Sequence, residues 1–400
     1  MSEALDLGDL GLDQGGHLLV KRALRAVEVG ATVHVRGTAP ELAVHLRGWC
    51  RAQGHRLVSA EAGGESFVVL ERGGAEDGRW RGALITGHVD PQQPGAVADV
   101  APPQWGLAAR GATVEAGSPP MSFALSERDE IWADEAAQLY AQAVAAQWDP
   151  ATAIDWTAEY SIPDEVEDAV VQVMTYLIEN ETAALIVPTR FLGQVHPHFR
   201  EVMQVLAVQA ADEARHIEVF TRRACLRRDA LGLSTAGGQA SLKSLLDEPD
   251  FAMASFLLSV LGEGSFLSLL WFLHEHAPDP ITRQVAKLAA QDEARHVAFG
   301  LAHLRRHADL DPTLRGRLQM AVQRRHAELQ HTAGLNEEVF DALLLLAAGG
   351  WDRDALRRGW QAVQQLKADM DDGRRRRLAR LGFSVDEAAE LSALHTRNFM

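Results

Sequence analysis

The chain has 400 residues, of which 47% are hydrophobic and 24% charged, and a formal net charge of −16. This length and composition support an ample core in two or three domains and exclude wholesale disorder, while the acidic balance argues against a broad nucleic-acid footprint. Its two cysteines, Cys50 and Cys225, cannot build a disulfide framework or a four-cysteine iron or iron–sulfur site within the chain. The start, Met1-Ser2-Glu3-Ala4-Leu5-Asp6, has neither the basic nor the apolar region of a signal peptide, so a reducing cytoplasm is the expected compartment.

Residues 1–73 read as a small two-layer α/β domain. Ala31 to Val35, Arg56 to Val58 and Ser66 to Leu70 have strand patterning and Ala39 to Ala52 is helical, with Gly30, Gly54 and Gly63-Gly64 as breaks. The wording of Val27-Glu28-Val29-Gly30-Ala31, Leu46-Arg47-Gly48-Trp49-Cys50 and Gly54-His55-Arg56-Leu57 resembles the TusA-like sulfur-carrier domain. In that family a reactive cysteine opens the first helix. The corresponding stretch here, Gly11-Leu12-Asp13-Gln14-Gly15-Gly16-His17, has glutamine in its place. The resemblance thus implies a degenerate docking or structural module, with Cys50 a packing residue.

Residues 74–125 are rich in Gly, Pro and Ala and read as a linker. From 126 to 310 the pattern is helical: Glu130 to Gln147, a helix opening at Pro163-Asp164-Glu165 and running past Glu181, then His198 to Arg228, Asp250 to Glu275 and Pro280 to His307. The last four form the expected bundle. Pro188 either kinks the first of them beside a cavity or ends it early. Residues 311–400 add helices, broken at Gly349-Gly350 and at Gly373 or Gly382, for packing or homodimer contacts. There the run Arg374 to Arg377 reads as a solvated face. The apolar run from Phe256 to Trp271 approaches the ~20 residues of a membrane span. Its central Glu263 and the lack of a basic flank favour a buried core helix and no membrane.

One hexapeptide occurs twice. Ala211-Asp212-Glu213-Ala214-Arg215-His216 returns as Gln291-Asp292-Glu293-Ala294-Arg295-His296. Each copy holds a Glu-x-x-His pair on one helical face, the spacing that lets a carboxylate and an imidazole meet one metal ion. Two such pairs, with one glutamate from each of two other helices, make a carboxylate-bridged di-iron or di-manganese site. A hairpin brings two residues level when they lie equally far from its turn. The midpoint of Glu181 and Glu213 is Pro197, and that of Glu263 and Glu293 is Pro278. Proline suits a connection and is costly inside a helix. Glu181 and Glu263 are therefore the expected third and fourth carboxylates. A lone carboxylate in so apolar a run as that around Glu263 would cost several kcal/mol unless neutralised or bound to a cation.

The doubled pattern resembles the ferritin-like di-iron superfamily, in its ribonucleotide-reductase-like and monooxygenase branch. That resemblance implies two iron ions, with manganese or a mixed Mn/Fe pair as variants. Glu181, Glu213 and His216 would hold one ion and Glu263, Glu293 and His296 the other, with Glu213 and Glu293 bridging. Asp212 and Asp292 would hydrogen-bond the ligand imidazoles. It further implies O₂ activation toward a small organic substrate with electrons from a separate donor, the alternative being a ferroxidase or iron-handling role. The tyrosine that radical-storing members carry one turn beyond the first motif histidine is Phe220 here, and Gly300 takes the second position. Leu177, Leu185, Phe266 and Leu267, near one turn from the glutamates, are the expected apolar lining.

Overall fold

The computed structural model describes residues 4–61, 65–330 and 337–394. Gly63-Gly64, and residues 331–336 and 395–400 of the expected C-terminal helices, lie outside them. By its contacts the chain divides into two units, Met1–Val89 with Gly111–Pro120 and Asp90–Arg110 with Met121–Met400. The glycine- and proline-rich stretch is thus shared between both.

The smaller unit runs β1 (Leu5–Asp6), α1 (Gly16–Arg25), β2 (Thr32–Gly37), α2 (Leu42–Gln53), β3 (Arg56–Glu61), β4 (Ser66–Glu71) and α3 (Ala75–Arg79), followed by the two-stranded pair β5 (Leu84–Ile85) and β6 (Thr113–Val114). The main sheet has the order β1-β2-β4-β3, parallel only between β1 and β2. Strand alternation puts Val33, Val35, Val68 and Leu70 into one core with Val20, Leu24, Leu42, Leu46 and Cys50 from the helices. Cys50 is 1% exposed, and burial pushes its thiol up to about 11, so it holds little thiolate near neutral pH.

The larger unit is helical: α4 (Arg128–Ile131), α5 (Ala136–Ala145), α6 (Asp164–Leu192), α7 (Arg200–Ala224), α8 (Ala236–Leu246), α9 (Phe251–Ser255), a π-helix (Phe256–Glu263), α10 (Gly264–His276), α11 (Pro280–Leu310), α12 (Leu314–Leu329), α13 (Glu337–Ala348), α14 (Arg353–Arg380) and α15 (Val385–Ala393). Four helical stretches form a four-helix bundle of two hairpins. α6 and α7 turn at Pro197, and the stretch from α9 through α10 turns into α11 at Pro278. Asp279 sharpens the second turn, its carboxylate accepting from the Thr282 N–H at 2.8 Å ahead of Pro280 in the first helical turn. The chain is therefore mainly α with a small α/β layer.

Several elements differ from their sequence patterns. The helix expected from Glu130 breaks between α4 and α5, where the Trp132 indole donates to Asp134. α6 continues through Pro188 to Leu192; the missing N–H leaves the Ala184 carbonyl without its helical donor. Gly373 does not end a helix but lies inside α14. The arginine run is not a uniformly solvated face. Arg375 and Arg376 pair at the surface with Asp371 and Asp372, whereas Arg374 and Arg377 are 2% and 9% exposed. Both α6 and the stretch Phe251–His276 are long and apolar enough to cross a membrane by length and composition. In these two helices 67% and 83% of the apolar window is buried inside the protein.

The second turn is tied to the bundle by a buried ionic cluster. Arg223 of α7 donates to both Glu167 oxygens (2.6 and 3.2 Å), to Asp279 (2.7 Å) and to Thr282 (2.7 Å), all in the interior. Removing one partner of such a cluster leaves buried charge uncompensated. Arg223→Leu should therefore destabilise the protein by about 3–5 kcal/mol in urea unfolding; a loss within experimental error would show that Glu167 and Asp279 do not depend on it.

Candidate metal centre

The bundle brings Glu181 of α6, Glu213 and His216 of α7, Glu263 at the end of the π-helix, and Glu293 and His296 of α11 to one buried space. All six are at most 5% exposed. They form two overlapping groups, Glu181–Glu213–His216–Glu293 and Glu213–Glu263–Glu293–His296, each with its ligand atoms within 4.8 Å of one another. Glu213 and Glu293 belong to both. His216 Nδ1 lies 3.3 Å from Glu213 Oε2 and 3.4 Å from Glu293 Oε1. His296 Nδ1 lies 3.1 Å from Glu213 Oε1 and 3.5 Å from Glu293 Oε2. Each shared carboxylate therefore turns one oxygen toward each histidine, the disposition of a bridge between two ions. Glu179, two residues before Glu181, is half-buried and takes no part in either group.

The spacing fits divalent ions. Donor atoms ~2.1 Å from a common ion and about 95–115° apart stand about 3.1–3.5 Å from each other. The polar groups also lack other partners. Both oxygens of Glu213 and of Glu293, Glu263 Oε2, His216 Nδ1 and His296 Nδ1 are buried without a hydrogen bond among the described residues. Orphaned buried polar atoms are costly, and here seven of them converge on one space. A pair of cations answers the deficit.

The imidazoles are held from behind, and the support crosses between the two motif copies. His216 Nε2 lies 3.1 Å from Asp292 Oδ2, and His296 Nε2 lies 3.3 Å from Asp212 Oδ2. A proton on each Nε2 leaves the Nδ1 lone pair facing the space between the glutamates. The aspartates are themselves braced. Arg215 donates to Asp212 and, at 2.9 Å, to Asp292; Arg295 donates to Asp292. Gln147 donates to Asp212 and the Trp148 indole to Asp292, each at 2.8 Å, and the Arg215 guanidinium lies over the Trp148 ring. On the other side Gln209 donates to Glu263 Oε1 at 2.8 Å.

Sequence reasoning did not assign roles to Arg215, Arg295, Gln147, Trp148 or Gln209. The arginines had a signal, since both motif copies carry one, but Gln147 and Trp148 follow α5 with nothing in the local pattern to mark them.

Protonation follows from crowding. Burial, then the Glu213 charge, pushes Glu181 up to about 8. Burial and the Glu293 charge push Glu263 well above the usual carboxylate range. Burial disfavours charge on the histidines, but the surrounding carboxylates outweigh it and raise both His216 and His296 well above an ordinary imidazole. Burial opposes the charge of Asp292 and Asp212 too, yet donation from His216, Arg215 and Trp148 holds the first low, and His296 and Gln147 hold the second low.

A narrow cavity of about 20 Å³ opens beside the carboxylates. Ala184, Leu242, Leu245, Leu258 and Phe266 give it an apolar wall, and Glu181, Glu263 and Glu293 form its polar end. Of the expected lining only Phe266 takes part. Leu177 is buried outside it, Leu185 and Leu267 are half-buried, and α8 contributes Leu242 and Leu245 instead. Tyr176 stacks on Phe266 with ring centroids 5.8 Å apart. The position one turn beyond His296 cannot carry a ring, because even a Cβ on Gly300 would meet the Ser259 Cβ at 2.6 Å.

No protein-family model and no curated relative matches the sequence. Among solved structures the chain is similar to an R2-like ligand-binding oxidase from Sulfolobus acidocaldarius, at 17% identity over 60% of this chain and 90% of that one, with a TM-score of 0.41. It is also similar to a point mutant of an R2-like ligand-binding oxidase with an aerobically reconstituted Mn/Fe cofactor, at 16% identity over 64% of this chain and 93% of that one, with a TM-score of 0.44.

Since Glu181, Glu263 and both imidazoles hold protons more tightly than ordinary groups, an entering cation has to displace protons. Affinity for Co²⁺ should rise with pH through about 8, where Glu181 gives up its proton. Binding near neutral pH should release protons, seen by calorimetry in buffers of different ionisation enthalpy. An affinity unchanged between about pH 6 and 9 would contradict a protonated metal-free site.

Proposed function

We propose that the protein is an O₂-activating di-metal oxidase or oxygenase, with two iron ions or a mixed Mn/Fe pair, acting on a small apolar organic molecule with electrons from a separate donor. The observation that carries this reading is the pair of buried Glu/His groups sharing Glu213 and Glu293, with their facing atoms otherwise unpartnered. Glu181, Glu213 and His216 would hold one ion and Glu263, Glu293 and His296 the other. Asp212 and Asp292 would fix the ring orientation of His296 and His216.

When bound, a reduced pair of such ions supplies the electrons for O₂ reduction. The protein's contribution is steric and electrostatic. Glu181 and Glu263, whose carboxyls burial biases toward the protonated form, can hold a proton at the cavity end. The apolar wall of Leu242, Leu245, Leu258 and Phe266 presents an organic rather than an aqueous surface to the carboxylate end. This lining favours an organic substrate over iron storage, for which a polar route to the centre is expected. Phe220 and Gly300 offer no phenol beside the motif histidines, so radical storage there is not part of the function. The smaller unit, with buried Cys50 and Gln14 in place of the carrier cysteine, fits a docking role.

The test is anaerobic loading with Fe²⁺, elemental analysis, then exposure to O₂. About two ions per chain, O₂ consumption and no persistent tyrosyl radical in electron paramagnetic resonance are expected. Fewer than about one ion per chain would overturn the di-metal reading. A persistent tyrosyl radical would instead implicate Tyr176 and a radical-storing role.

A further inference from the structure

Two buried arginines of α14 reach the turn beside Glu263, Arg377 at its backbone and Arg374 at the Ser265 side chain. Arg377, 9% exposed, donates from Nε to the Val260 carbonyl at 2.6 Å, inside the π-helix. Arg374, 2% exposed, donates to Ser265 Oγ at 3.3 Å, and Ser265 in turn donates to the Leu261 carbonyl at 2.7 Å. The carbonyls of Val260 and Leu261, just ahead of Gly262 and Glu263, are thus both tied to α14.

Glycines make room for this arrangement. A Cβ on Gly264 would sit 2.3–2.7 Å from the Arg377 guanidinium, and one on Gly373 would sit 3.0 Å from its Nη1. The guanidinium is therefore packed against the residue directly after Glu263. No carboxylate lies within ion-pairing distance of either arginine among the described residues, and Arg377 Nη2 is buried without a hydrogen bond. Burial lowers Arg374 to about 10 and Arg377 to about 9. Arg374 reaches Asp371 only through Ser392, and Arg377 has no carboxylate near it, which makes Arg377 a costly way to pack a helix if packing is all it does.

What they grip is the irregular turn. A π-helix is rare and widens the backbone, and here the Gly264 N–H reaches back five residues to the Ser259 carbonyl. That shift sets the direction in which Glu263 leaves the helix. We propose that Arg377, with Arg374 acting through Ser265, is a positioning residue that holds the π-helical turn so that Glu263 faces the metal centre, making the affinity of the Glu263–His296 half depend on α14. This rests on the di-metal reading.

The test uses the full chain, free of metal, titrated anaerobically with Co²⁺ by calorimetry and visible absorption, with thermal unfolding of each metal-free variant. The wild-type titration decides the di-metal reading by itself: no Co²⁺ binding would remove that reading and this inference with it. Given two ions on the wild type, Arg377→Met should weaken one of them by about 10–100-fold and leave the other within about threefold. Arg377→Lys, which keeps a donor for the Val260 carbonyl, should recover most of the affinity, and the unfolding midpoint of the Met variant should not account for the loss. Equal weakening of both ions, no recovery with Lys, or no change in affinity would each overturn the proposal. Ser265→Ala, which cuts the Arg374 link alone, should show a smaller loss at the same ion and serves if the Met variant does not fold; unchanged affinity there would overturn the part assigned to Arg374.

Discussion

Four carboxylates and two imidazoles meet in one interior space, and the rest of the helical unit answers to that crowding. At an effective dielectric of about 20, two like charges within 4–5 Å repel by about 3–4 kcal/mol. Glu181, Glu213, Glu263 and Glu293 bring several such pairs together away from water. Without cations the space is tolerated by keeping protons on Glu181 and Glu263 and on the imidazoles. With two cations present, the same atoms would serve as ligands and the repulsion would become a source of affinity.

Holding side chains against that repulsion requires bracing from several directions. Behind the histidines, Asp212 and Asp292 cross between α7 and α11, and Arg215 and Arg295 lace the two acids together. Gln147 and Trp148 close the network from the end of α5. Below the centre, the Arg223 cluster pins the turn between α10 and α11. Beyond Glu263, α14 grips the π-helix. A ligand-binding constellation fails when its supporting shell is loose by about 1 Å, and bracing of this extent fits such a constellation.

The meeting of the six side chains was legible because it depends on spacing. A repeated Glu-x-x-His and proline turns midway between Glu181 and Glu213, and between Glu263 and Glu293, are properties of helix rise and hairpin geometry. β2 and β4 of the smaller unit were legible for the same reason, through their period-2 burial, whereas the two-residue strands β1, β5 and β6 are too short to show a period. What depends on tertiary partners was not. The π-helix carries no sequence mark beyond Gly262 and Gly264, since its register is set by what packs on it. Arg374 and Arg377 look like members of a basic run; only the Gly264 and Gly373 surfaces show why Arg377 turns inward, and only Ser265 and Ser392 show where Arg374 goes. The cavity wall was misassigned because α8, rich in Gly and Ser at its start, gave no helical period from which Leu242 and Leu245 could be read.

Crystals soaked with Fe²⁺ or Mn²⁺ and measured at the metal absorption edge would test the centre most directly. Two anomalous peaks about 3.5–4 Å apart are expected, both between Glu213 and Glu293, one on the Glu181–His216 side and one on the Glu263–His296 side. A single peak, or density confined to the protein surface with the six side chains arranged as they are here, would contradict the account.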